Sequence, residues 1–210
     1  PQSHGRTGQP LRRTRDGLLI RHAPFTAVYD ACVLYPAPLR DLLIRLAGKG
    51  LYRAKWTAQI DEEWKRNLLE NRQDLTREQL DRVSRLMAAA VPDSIVTGHE
   101  TLCAGLVLPD PDDAHVLAAA IRSNAEVIVT FNLKDFPPAA LAAFDVEAQH
   151  PDEFIMDLWD LDQAAVLAAA TEMRRALTRS PYTSEEFIEC IFKQGLPQTA
   201  NALRGYIILL

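Results

Sequence analysis

The segment EVIVTF at 126–131 constrains the fold most. Its centre is apolar and β-branched, it is too short for a helix, and polar residues bound it, so it reads as a buried strand. FTAVYD at 25–30 has the same character and ends on Asp30. Helical periodicity fills much of the interval between them. PAPLRDLLIRLAGKG (36–50) has proline near its start and glycine at its end. In 56–70, Ile60, Trp64 and Leu68 recur at helical spacing, and 76–90 opens with a capping box from Thr76 to Gln79 flanked by Leu75 and Leu80. A short strand is expected at 94–97, a helix after the aspartates at 110–113, a small helix from Pro137 and Pro138, and an edge strand at 145–148. The order β, several helices, β, α, β, α, β predicts an α/β fold, a parallel sheet flanked by helices.

Beyond about residue 150 only helical patterns remain. They include an alanine-rich run (161–177), a capping box from Thr183 to Glu186, and the apolar end YIILL. The expected division is a leader (1–23), an α/β domain (24–149) and an all-helical C-terminal appendage (150–210), packed on the core or on a partner. A chain of 210 residues with 48% hydrophobic and 24% charged content excludes disordered and fibrous classes. No apolar run nears the roughly 18 residues of a membrane span. The net charge of −5 is uneven: residues 1–22 carry five arginines and one aspartate, leaving −9 for the other 188. That opening is expected to be a disordered leader without a signal-peptide core, or else a nucleic-acid-binding arm. Cys32, Cys103 and Cys190 form no CxxC or zinc pattern, which suits reduced thiols and a cytoplasmic protein.

In an open parallel sheet, ligands sit at the carboxyl ends of the strands. Asp30 stands at one such end, and TFNLKDF (130–136) brings Thr130, Asn132 and Asp135 to another. In LPDPDDAHVLAAA (108–120), Asp112 suits a helix cap, whereas Asp113 shares the stripe of Val116, Leu117, Ala120 and Ile121. A carboxylate on a buried face needs a compensating charge, and a divalent cation supplies one. Asp110 precedes the helix and its role stays open. In IDEEW (60–64), Glu62 falls opposite the apolar stripe, while Asp61 and Glu63 flank it, and helix geometry does not choose between them. His115, two residues past Asp113, is expected to point away from such a site.

YDACVLYP, the helix carrying DEEW, LPDPDDAHVLAAA and VIVTFNLKDFP together resemble, in order over 25–148, the motifs of PIN-domain proteins, notably the VapC-type toxins of bacterial toxin–antitoxin pairs. The helical remainder resembles the C-terminal extension of one VapC-like subgroup. The resemblance implies a PIN-like, flavodoxin-like fold and an Mg²⁺- or Mn²⁺-dependent endoribonuclease with four acids as catalytic residues and metal ligands. On this chain these are Asp30, Glu63 (with Thr57 six residues before it), Asp113 and Asp135. Some relatives place an aspartate where Asn132 stands. Asp110, Asp112, Asn132 and Thr130 are expected as auxiliary groups. The implied partners are RNA, a cognate antitoxin, operator DNA through that antitoxin, and a homodimer or hetero-oligomer, with no membrane.

The chemistry agrees with that expectation. Hydrolysis of a phosphodiester needs an in-line water and neutralised oxygens, which one or two hard cations on carboxylates provide. A pair would lie about 3.5–4 Å apart, with Asp30 or Asp113 as the bridge. Arg40, Arg45, Lys49, Arg53 and Lys55 give 40–55 five cations against Asp41 alone, and they are expected to guide RNA. The alternatives are a PIN-fold nuclease for RNA processing or structured DNA, and a catalytically weak antitoxin-binding module. A phosphotransfer receiver or haloacid-type phosphatase is disfavoured, because YDACVL lacks a second acid two residues after Asp30.

Overall fold

A computed structural model describes residues 24–178 and 180–210; the expected leader lies outside them. Five strands form one sheet: β1 (Thr26–Tyr29), β2 (Arg53–Thr57), β3 (Ile95–Val96), β4 (Val127–Val129) and β5 (Glu147–Gln149). Their order is β3-β2-β1-β4-β5. Every pairing is parallel, with Ala27 beside both Ala54 and Val127. The parallel sheet flanked by helices is thus as expected. The edge strand lies slightly later than 145–148, because Asp145 takes a left-handed conformation (φ 55°) and ends the preceding turn.

β2 is the element that periodicity missed. RAKWT alternates cations with apolar residues, and Arg53 and Lys55 are among the cations expected to guide RNA. In the structure Ala54 and Trp56 are buried while Arg53 is exposed. The helices read from the sequence lie close to their expected bounds: α2 (Ala37–Gly48), α3 (Ala58–Asn71) and α4 (Arg77–Ala90), preceded by a single turn, α1 (Ala31–Leu34). Thr76 and Gln79 form the expected capping box. After β3 come α5 (Glu100–Cys103), a 3-10 turn (Pro111–Asp113) and α6 (Ala114–Ser123); α7 (Pro138–Leu141) separates β4 from β5.

Because parallel crossovers are right-handed, connections leaving in opposite directions along the sheet cover opposite faces. The path from β1 to β2 puts α2 on one face, and the path from β3 to β4 puts α6 on the other. Tyr29 and Tyr52 both donate their hydroxyls to the carbonyl of Leu43 on α2, at 3.2 and 3.0 Å. Side chains alternate along a strand, so Val28 faces the α6 side. α6 is buried from Ala114 to Ala120, all round rather than along one stripe.

The C-terminal helices are α8 (Pro151–Leu161), α9 (Gln163–Ala176), α10 (Ser184–Lys193) and α11 (Pro197–Arg204). They pack on the α/β part and share its hydrophobic core. Phe154 of α8 meets Tyr52 edge-on at 5.0 Å and Phe25 at 6.1 Å, extending the α2 layer. The buried Asp152 carboxylate accepts the backbone N–H groups of Gln198 (2.8 Å) and Thr199 (2.9 Å) and the Thr199 hydroxyl (2.7 Å). It thereby caps α11 from another helix, satisfying donors that the α11 N-terminus leaves free. Lys49, which caps the C-terminal end of α2, pairs with Glu172 of α9 at 2.6 Å. No helix among the described residues is long and apolar enough to cross a membrane.

Candidate active site

The strand order reverses direction between β1 and β4, and the crevice at their carboxyl ends is where such a sheet accommodates a ligand. Asp30 stands there, 4% exposed, its N–H bonded to the Val129 carbonyl at 3.1 Å. Its Oδ2 accepts the fully buried Thr130 hydroxyl at 2.6 Å and the Cys32 thiol at 2.9 Å. Thr130 Oγ1 in turn accepts the Asn132 N–H at 2.9 Å, and Cys32 Sγ accepts the Phe131 N–H at 3.3 Å. Burial and the neighbouring Asp30 charge push the Cys32 thiol up, so it stays protonated and serves as a donor. The side chain is therefore fixed through Oδ2, while Oδ1 accepts no hydrogen bond from the described residues. Sequence reasoning missed Cys32; its signal was its position two residues after the strand-end acid.

The aspartates of 108–120 divide their work differently from the expectation. Asp110, not Asp112, is the cap: its Oδ1 accepts the Asp112 N–H at 2.9 Å and opens the 3-10 turn. Asp112 is exposed. Asp113 occupies the N-cap position of α6 but makes no side-chain cap bond. Its carboxyl is pushed up to about 7, first by burial and then by the charges of Asp30, Asp110, Asp135 and Glu63. A carboxyl raised by four other acids lies where their fields meet.

Asp61 and Glu62 are tied to α4. Asp61 accepts Trp64 Nε1–H (3.1 Å) and the Ser84 hydroxyl (2.8 Å), and it pairs with Lys65 at 2.9 Å. Glu62 takes a two-pronged contact from Arg77 at 2.7 and 2.6 Å. Glu63 is left facing α6, its Oε2 3.4 Å from Nε2 of His115. His115 is 6% exposed and points toward the acids, contrary to the expectation, because α6 is buried on every side. Asp135 is half-buried in the 3-10 turn Leu133–Asp135 and does not cap α7; Asn132 is exposed.

The basic run is not at this site. α2 carries the chain back to the amino edge, a helix of 12 residues spanning about 18 Å, and Gly50 (φ 76°) turns it into β2. Arg53 pairs in register with Thr26, the first residue of β1, and so lies at the opposite edge from Asp30. Arg45 is held by Asp41 at 3.0 Å, Lys49 by Glu172, and Lys55 donates to the Asp93 carbonyl. Arg40 is 8% exposed, bonds the carbonyls of Leu34 (2.5 Å) and Tyr35 (3.3 Å), and lies 4.5 Å over the Trp64 ring. Burial lowers its guanidinium to about 10. It closes the C-terminal end of α1 and has no free face for a polyanion.

The donors at the carboxyl edge are carboxylate oxygens, the set that hard divalent cations prefer. Among the described residues no three His, Cys, Asp or Glu side chains stand close enough together to grip one ion. Acids without an opposing cation repel one another, so the match to a cation is one of chemistry and charge.

A parallel sheet with acids gathered at the carboxyl ends of β1 and β4 and on two adjoining helices defines the class. A family model described as PIN domain matches residues 26–134, and the chain belongs to the PIN-domain family. A second, described as VapC50 C-terminal domain, matches residues 151–205. The chain is also 44% identical over 92 residues to a Mycobacterium tuberculosis protein whose name reads "Putative ribonuclease VapC50". That match covers 44% of this chain and 54% of the relative, so the chain spans about half the length of this curated protein.

Proposed function

We propose that this protein is a divalent-cation-dependent endoribonuclease of the VapC type, the toxin of a toxin–antitoxin pair. Asp30, Glu63, Asp113 and Asp135 hold Mg²⁺ or Mn²⁺. The observation that carries the reading is the half-buried Asp113 carboxyl, raised to about 7 first by burial and then by the charges of Asp30, Asp110, Asp135 and Glu63, and in no ion pair among the described residues. The match of residues 151–205 to the VapC50 C-terminal domain supports the toxin class over a PIN nuclease of another kind. Three free cysteines favour a reducing cytoplasm.

A bound cation would supply the charge that activates water and neutralises the phosphoryl oxygens. The chain's part is to hold its donors ready. Thr130 and Cys32 fix Asp30 through Oδ2 and leave Oδ1 as the donor atom. Asp113 would serve as a donor in its deprotonated form. Arg66, one turn beyond Glu63 on α3, and Lys134, between Asn132 and Asp135, are exposed and without an ion pair among the described residues. These two take the phosphate-guiding role first expected of 40–55. The partners are RNA and an antitoxin, with operator DNA contacted through the latter.

Purified protein with Mn²⁺ is expected to cleave single-stranded RNA, and EDTA to stop it. Asp30→Asn and Asp113→Asn should each lose more than the roughly 10–100-fold typical of changes to a ligand's supporting residues. Undiminished cleavage in either variant would remove that residue from the site. Cleavage of flapped DNA in preference to RNA would favour the non-toxin nuclease.

A further inference from the structure

We infer that His115 is a positioning residue for Glu63: its Nε2 edge faces the Glu63 carboxylate and keeps that side chain turned toward the other acids. The inference rests on the metal-centre reading above. Nε2 lies 3.4 Å from Glu63 Oε2, while Nδ1 is buried with no partner among the described residues. A neutral imidazole has two tautomers. With the proton on Nδ1, a buried N–H would find no acceptor, and the Nε2 lone pair would face a carboxylate oxygen. With the proton on Nε2, only a lone pair goes unpaired, and a donor faces Glu63. The second arrangement is favoured on both counts.

Nothing else among the described residues holds Glu63. Asp61 and Glu62, its neighbours on α3, are secured by Lys65, Ser84 and Arg77. Glu63 makes no hydrogen bond and no other ion-pair contact among the described residues, so the His115 contact from α6 is what faces one of its oxygens. His115 stands two residues from Asp113, so one short stretch of α6 provides an acid and also aims a second acid that arrives from α3. Carboxylates about a cation commonly depend on such supporting donors for their orientation.

The test uses the full chain, with Mn²⁺ affinity read by electron paramagnetic resonance and folding by melting temperature without metal. His115→Leu is expected to weaken Mn²⁺ binding by roughly 10–100-fold. His115→Gln, whose amide reaches the place of Nε2, should stay within about threefold of wild type, a rescue that a merely packing role would not give. In a Glu63→Gln background, His115→Leu should cost nothing further, because the two act as one unit. If the leucine variant fails to fold, His115→Met is judged by the same thresholds. Wild-type affinity in His115→Leu, equal losses in the Gln and Leu variants, or additive losses in the double variant would overturn the inference. Absence of Mn²⁺ binding by the wild-type protein would overturn the metal centre itself, and this inference with it. Binding lost in Glu63→Gln but kept in His115→Leu would overturn the inference alone.

Discussion

Asp113 links local geometry to chemistry at the scale of one residue. Its position at the head of α6 would ordinarily make it a cap, yet Asp110 performs that task one turn earlier. What remains is a half-buried carboxyl among acids, raised from 3.8 to about 7. The sign of the pH effect follows. The folded metal-free protein binds a proton that the unfolded chain has released, so this residue's contribution to stability is complete below pH about 4 and is lost as pH rises toward 7. Cation binding runs the other way, because the ligand must be deprotonated. Mn²⁺ affinity is therefore expected to rise about tenfold per pH unit below 7 and to level off above it. Calorimetric titration between pH 5.5 and 8 checks this, and a flat profile would separate Asp113 from the cation.

The direction of each helix decides which charges meet at the scale of the element. α6 runs from the acids toward the amino edge, where Glu126 accepts the Thr26 N–H at 2.7 Å. α2 runs the same way and carries Arg45 and Lys49 away from Asp30. Arg66→Ala with Lys134→Ala is expected to weaken RNA binding and to lower the slope of log affinity against log salt by about 1–2. Arg45→Ala with Lys49→Ala should leave both unchanged, and filter binding at several salt concentrations distinguishes the pairs. The strands EVIVTF and FTAVYD, most helices and the strand-end acids were legible in the sequence, because hydrophobic period and turn chemistry are local. β2 was not, since it is short, its cations break the apolar run, and its burial depends on partners distant in sequence. The reach of the basic run was misread for a related reason: nearness in sequence to Asp30 says nothing of which edge a helix delivers it to. His115 was misread because a helix buried all round has no solvent face to turn toward.

The helices from 151 onward belong to the same core as the sheet at the scale of the whole molecule. Phe154 lies against Phe25 and Tyr52, which precede β1 and β2, so α8 holds down the layer that also contains α2. Asp152 fastens the far end of the chain to α8 through three hydrogen bonds. Asp152→Ala would leave buried donors unpaired, costing about 2–4 kcal/mol, or roughly 5–15 °C in Tm for a chain of this size. Mn²⁺ affinity should change little, since α11 contributes no acid to the site. A thermal melt and a Mn²⁺ titration on the same sample decide it, and a large loss of affinity would mean that the helical segment shapes the acid cluster.

These scales meet in one place, the carboxyl edge between β1, β4 and α6. The most direct measurement is anomalous diffraction from crystals of the full chain soaked in Mn²⁺. A manganese peak contacted by Asp30 and Asp113, with Glu63 or Asp135 completing the set, is the predicted result. A peak on other residues, or an ordered carboxyl edge with no peak at saturating Mn²⁺, would contradict the account.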